Sequence, residues 1–144
     1  MSTTSLWAAH DALGTHVAAR PGLPAPVGVY LTAAEGSAPV QISVRASFAV
    51  ARVPEFTAWA ESLDEVVIEL HHRYGQLTAS VVEVEIVAAG RLPETGVRVV
   101  VKASAFDETA AALARQLPPP SRGEPLRVDL NALRWPLTPA ESTA

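Results

Sequence analysis

Four histidines, fifteen carboxylates and a scatter of serines are the residues of this chain that carry chemistry. A zinc ion held by a helix needs two His on one face of it. His10 and His16 fall six residues apart in a predicted helix, about 240° round its axis. His71 and His72 are adjacent in a predicted strand and so point to opposite faces. A site built across strands from His71, Glu69 or Glu85 is an arrangement open to an ion, and partly buried or surface histidines are the simpler expectation. The chain has no cysteine, so it has no disulfide framework, thiolate nucleophile or Cys-based zinc site. No serine sits in a Gly-x-Ser-x-Gly elbow, and no Gly-rich loop opens a helix to cradle a phosphate. Neither a catalytic residue nor a metal or cofactor is therefore nominated.

The residues that remain are those that strand alternation places on one face of a sheet: Tyr30, Gln41, Ser43, Arg45, Val67, Glu69, His71, Glu83, Glu85, Val87, Arg98, Val100 and Lys102. Glu83 and Glu85 are expected to pair across a hairpin with Lys102 and Arg98, each pair contributing about 0.2–1 kcal/mol. Such a face is often simply solvated. The mixture of Tyr and Val with charge also suits association, and the N-terminal helix is a third occupant to consider. Trp135, in a Pro-flanked tail, either docks back on the domain or anchors a partner. Tyr30, Arg45, Arg98, Lys102 and Trp135 are the candidate partner-binding residues.

The elements that position these residues follow from periodicity. Residues 4–20 read as a helix with Leu6, His10, Leu13 and Val17 on one face and Ala9 beside them, capped by Thr3, Thr4 or Ser5. The Pro21–Pro26 stretch ends it. Val27, Val29 and Leu31, then Val40, Ile42 and Val44, alternate as two strands around a Glu35-Gly36-Ser37 tip. A short helix starts at Pro54 and buries Phe56, Trp59, Ala60 and Leu63. Strands follow on Val66, Ile68 and Leu70, on Val82, Val84 and Ile86, and on Val97–Lys102, with a loop at Ala88–Thr95. Ser104 suits the cap of a helix that carries Phe106, Ala110, Leu113, Ala114 and Leu117. Leu126, Val128 and Leu130 form a last strand.

Two stretches in this layout echo each other, Val40-Gln-Ile-Ser-Val-Arg-Ala-Ser47 and Val97-Arg-Val-Val-Val-Lys-Ala-Ser104. The echo extends to two halves of strand–strand–helix–strand order, 27–72 and 77–131, preceded by the 4–20 helix and followed by a tail at 132–144. The expected fold is a single α+β domain over 1–144. It has a mostly antiparallel sheet of about six strands, with two helices on one face and a ferredoxin-like order with extra strands. The block from Val40 to Ser104 also resembles, in element order, the strand–helix–three-strand module of the vicinal-oxygen-chelate enzymes. Element order of this kind carries no function with it. Leu92-Pro-Glu-Thr-Gly96 resembles the LPxTG signal that sortases cleave. Its place in mid-chain, directly before a strand, reads instead as a hairpin loop with Pro and Gly serving turn geometry.

Composition narrows the function classes. The formal net charge is −4 and the Arg residues are scattered, which disfavours nucleic-acid binding, a process that rests on clustered phosphate-neutralising cations. No apolar run approaches the ~20 residues of a membrane span, and Met1–Trp7 lacks the pattern of a secretory signal, so a cytoplasmic protein with no membrane partner is expected. The Ala, Val, Pro and Arg content suits a GC-rich bacterial genome. The leading expectation is a non-enzymatic binding or adaptor protein, associating with itself as a homodimer or with another protein. The alternatives are a small-molecule-binding protein or enzyme with a pocket between the halves, and a DNA-associated accessory factor.

Overall fold

The computed structural model describes residues 5–45, 53–77, 80–121 and 123–134; Trp135 and its expected role lie outside them. The chain forms α1 (Leu6–Ala18), β1 (Gly28–Leu31), β2 (Val40–Ser43), α2 (Pro54–Glu61), β3 (Asp64–Tyr74), β4 (Val81–Arg91), β5 (Arg98–Phe106), α3 (Asp107–Gln116), β6 (Leu126–Val128) and α4 (Leu130–Arg134). The strands make one mixed six-stranded sheet in the order β1-β2-β5-β4-β3-β6. Four of its pairings are antiparallel and one, β2 with β5, is parallel. The class is α+β.

The two echoing stretches lie side by side as that parallel pair, Val40 opposite Val99 and Ile42 opposite Val101. Their inward residues, Val40, Ile42, Val44, Val99 and Val101, are all buried. Val84, Ile86 and Ala88 of β4 and Ile68 and Leu70 of β3 continue the same floor. Phe56, Trp59, Ala60 and Leu113 close it from the helix side. Burying each large apolar side chain stabilises the fold by roughly 1.5–3 kcal/mol relative to exposing it. Alternation is therefore followed strictly where two faces meet different solvents.

The expected ferredoxin-like duplication is not what the sheet shows. Element order is kept in both halves, but β2, β5 and β3 run one way while β1, β4 and β6 run the other. The first helix crossover thus joins parallel strands, β2 to β3, and the second joins antiparallel ones, β5 to β6. A hydrophobic alternation reads the same in either strand direction, which is why it is silent on this difference.

Three local expectations also change. Strand β5 runs four residues beyond Lys102, so Ser104 stands in the strand rather than capping α3, which follows Phe106 directly. Strand β4 continues to Arg91 and the hairpin turn is confined to 92–97, with Gly96 at φ +76°. The strand β4 residue Gly90 sits at a close approach: a Cβ there would stand 3.0 Å from the Asp64 carbonyl oxygen and 3.1 Å from the Leu63 Cβ, so these neighbours would have to give by a few tenths of an ångström. Leu130 leaves the last strand to begin α4.

The helix α1 departs most from its sequence pattern. Ser5 caps it, accepting from the Ala8 N–H at 3.1 Å. Its buried residues are Ala9, Ala12 and His16, not the Leu6, His10, Leu13 and Val17 stripe. Small side chains allow α1 to lie close over the β1–β2 end of the sheet, and His16 goes inward because polar partners wait for it there. The helix lies on the same side as α2, so it does not cover the outer face. No helix among the described residues is long and apolar enough to cross a membrane.

Candidate functional site

The outer face of the sheet is built by register. One row runs Tyr30, Gln41, Val100, Ala89 and Val67 across five strands, and the next runs Gly28, Ser43, Lys102, Val87, Glu69 and Arg127 across all six. Tyr30, Ala89 and Val67 are exposed, while Gln41, Val87, Val100 and Lys102 are half-buried by their neighbours. No described helix lies on them.

The structure brings some of the candidate residues together and separates others. Arg45 and Lys102 line one open groove of about 350 Å³ with Ser43, Ser104, Glu85 and Phe106. Tyr30 stands on the edge strand β1. Arg98 lies at the far end of β5, where it donates to the Ser37 carbonyl (3.1 Å) and lines a second groove with Gly36, Glu65 and Arg91.

The expected pairing of Glu83 and Glu85 with Lys102 and Arg98 does not form. The tight 92–97 turn sets Lys102 opposite Val87 and Arg98 opposite Arg91. Arg73 of β3 takes both carboxylates, at 3.3 Å from Glu83 and 3.7 Å from Glu85. Glu69 is likewise engaged by His71 (3.4 Å) and Arg127 (3.5 Å). The β3–β4 half of the face is therefore balanced within itself. Among the described residues, Arg45 and Lys102 on the β2–β5 half have no carboxylate partner within ion-pair distance. His71 and His72 do face opposite ways: His71 lies on the outer face, and buried His72 donates from Nε2 to the Leu117 carbonyl at 3.0 Å. Among the described residues no group of three or more His, Asp and Glu side chains is placed to hold one ion.

A second constellation was invisible to spacing arguments. His16, fully buried, sits 2.9 Å from Ser62 Oγ through Nε2 and 3.0 Å from Glu94 Oε1 through Nδ1. Arg20, one turn on from His16, also engages the Glu94 carboxylate. Burial of that carboxylate by itself pushes its pKa up, but hydrogen bonds from Arg20 and His16 outweigh this and bring it from 4.5 to about 2. The Trp59 ring tilts over the imidazole at 6.1 Å between centroids, and its Nε1 donates to the Pro24 carbonyl at 2.9 Å.

The distances match a serine–histidine–carboxylate relay, but the proton positions point elsewhere. Ser62 Oγ donates to the Trp59 carbonyl at 2.6 Å, so it accepts from His16 rather than offering it a proton. A nucleophile needs the reverse arrangement. Arg20 occupies the carboxylate, and the ring has no solvent-exposed surface. The cluster is a latch that ties α1 to the end of α2 and to the β4–β5 turn. Glu94 belongs to the Leu92–Gly96 string, whose expected role as a hairpin loop is what the structure shows. Leu92 is buried and accepts from the Gly96 N–H at 2.7 Å.

Sequence reasoning missed this latch because its members are 46 and 78 residues apart. The one available signal was the arc of Ala9, Ala12 and His16, where small residues mark a close-packed helix face. Comparison with protein-family models, curated proteins and solved structures returned no significant match, so the site is read from its own geometry.

Proposed function

We propose that this chain is a non-enzymatic binding module whose outer sheet face receives another protein. The observation that carries the reading is a six-stranded sheet with one face free of described helices, on which Tyr30, Ala89 and Val67 are exposed in one row and two cations lack carboxylate partners among the described residues. Association surfaces combine an apolar centre with a polar rim, and unmatched charge steers partner choice more than it adds affinity. The complement is a partner surface with apolar side chains over the Tyr30–Val67 row and carboxylates over Arg45 and Lys102.

A photo-crosslinking residue at Ala89 tests this in cells, with Arg115 on the helix side as control. The expected result is a discrete adduct from position 89, absent from position 115 and lost on Arg98→Glu with Lys102→Glu. Equal labelling at both positions, or an adduct indifferent to the charge reversal, would refute the outer face as the binding surface.

The groove itself favours a second reading, in which a small acidic ligand docks between Arg45 and Lys102 beside the hydroxyls of Ser43 and Ser104. It lies where strand β2 of the first half meets β5 of the second.

A further inference from the structure

The helix α1 carries apolar residues on more than one side, and it turns the larger part of its apolar stripe away from its own core. Trp7 is 79% exposed, and Leu6 and Val17 are also exposed, while the side it buries is the small-residue arc with His16. Charge on this outward stripe is sparse, with Asp11 at its margin and His10 within it.

Beneath α1 lies the β1 edge of the sheet. Gly28-Val-Tyr-Leu31 has no charged residue or proline, and Val27 (63%), Val29 and Tyr30 are exposed. Both edge strands are short and both follow a proline, β1 with four residues after Pro26 and β6 with three after Pro125. Charge on an edge opposes pairing with another chain. β6 carries Arg127 and is followed by Asp129, whereas β1 has no charged side chain.

We propose that the α1 stripe and the β1 edge together form the interface for a second copy of this chain. The proposal does not depend on the outer-face reading. An antiparallel β1–β1 contact about a two-fold axis is self-complementary, as an isologous interface requires, and it extends the sheet across both copies with the two α1 helices side by side. The exposed parts of Leu6, Trp7, Val17, Val27 and Val29 amount to on the order of 600 Å² per copy, so their complete burial in the pair gives about 1,200 Å², the lower bound for a stable specific interface. A second copy supplies this match in both elements at once.

Sedimentation across a concentration series gives the first readout. The wild-type chain should dimerise, and Trp7→Glu with Val17→Glu should weaken association at least about 30-fold, the loss of a central aromatic anchor. Arg98→Glu with Lys102→Glu should leave it unchanged. Both substituted α1 positions are exposed, and circular dichroism verifies that the variant stays folded. If that variant unfolds, oxidation of Gly14→Cys gives an independent readout, because the chain has no other cysteine and a Cβ at Gly14 meets nothing within 4 Å. A covalent dimer should form from Gly14→Cys and not from Arg115→Cys. A wild-type monomer at every concentration, a dimer that survives the α1 charges, a dimer dissociated only by the β5 reversal, or equal crosslinking at both cysteines would overturn the interface. None of these results bears on the Ala89 adduct, so the two readings fail separately.

Discussion

Replacing Glu94 with Gln keeps the shape of the side chain and removes the charge on which the α1 latch rests. The carboxylate is 23% exposed and faces a fully buried imidazole and a 31% exposed guanidinium. Its pKa lies at about 2 in the fold, lowered from its ordinary value of 4.5. A depressed carboxylate pKa means that the interaction contributes fully above pH 4.5 and is lost as pH falls toward 2. The shift corresponds to at most about 3 kcal/mol, and solvent screening of the partly exposed pair reduces this to about 1–2 kcal/mol. With a urea m-value of roughly 2 kcal/mol/M for a domain of this size, Glu94→Gln should lower the urea midpoint at pH 7 by about 0.5–1 M. The difference between wild type and variant should shrink steadily between pH 4.5 and pH 2. Whatever the remaining side chains contribute in acid is common to both proteins and cancels in the difference. Equal midpoints at pH 7, or a difference that stays constant down to pH 2, would refute the latch.

Two further outcomes follow from the sheet and the groove. Val99 is buried opposite Val40 on the inner row, so Val99→Asp should cost at least about 4 kcal/mol by burying an unpaired charge; a variant with native circular dichroism and an unchanged melting temperature would contradict the register. If the Arg45–Lys102 groove takes a small acidic ligand, calorimetry should show saturable binding of inorganic phosphate that Lys102→Gln abolishes, and no heat with the wild-type protein would remove that reading.

Most of the strands were legible because each separates a buried face from a wet one, and that division writes a period of two into the residues. Ile42, Val44, Ile68, Leu70, Val84, Ile86, Val99 and Val101 all went inward as their spacing requires. The helix α2 was equally clear: Phe56, Trp59 and Ala60 are its apolar side. For α1 the pattern misled. Its strongest apolar stripe is largely exposed, because a core contact can be made by Ala9 and Ala12 when the backbone approaches closely, and because two distant polar groups, Ser62 and Glu94, stabilise His16 inside.

The sequence by itself determined the centres of the main strands, which side of most of them is apolar, the order of α1 to β6 and the absence of cysteine chemistry. These are local properties, set by neighbours two to four residues away. Only the tertiary structure decided strand direction and order, the turn that moves Lys102 off Glu85 and gives Glu85 to Arg73, and the meeting of His16, Ser62 and Glu94. Each of those depends on contacts tens of residues apart, whose geometry exists only once the sheet has closed its register and α1 has docked.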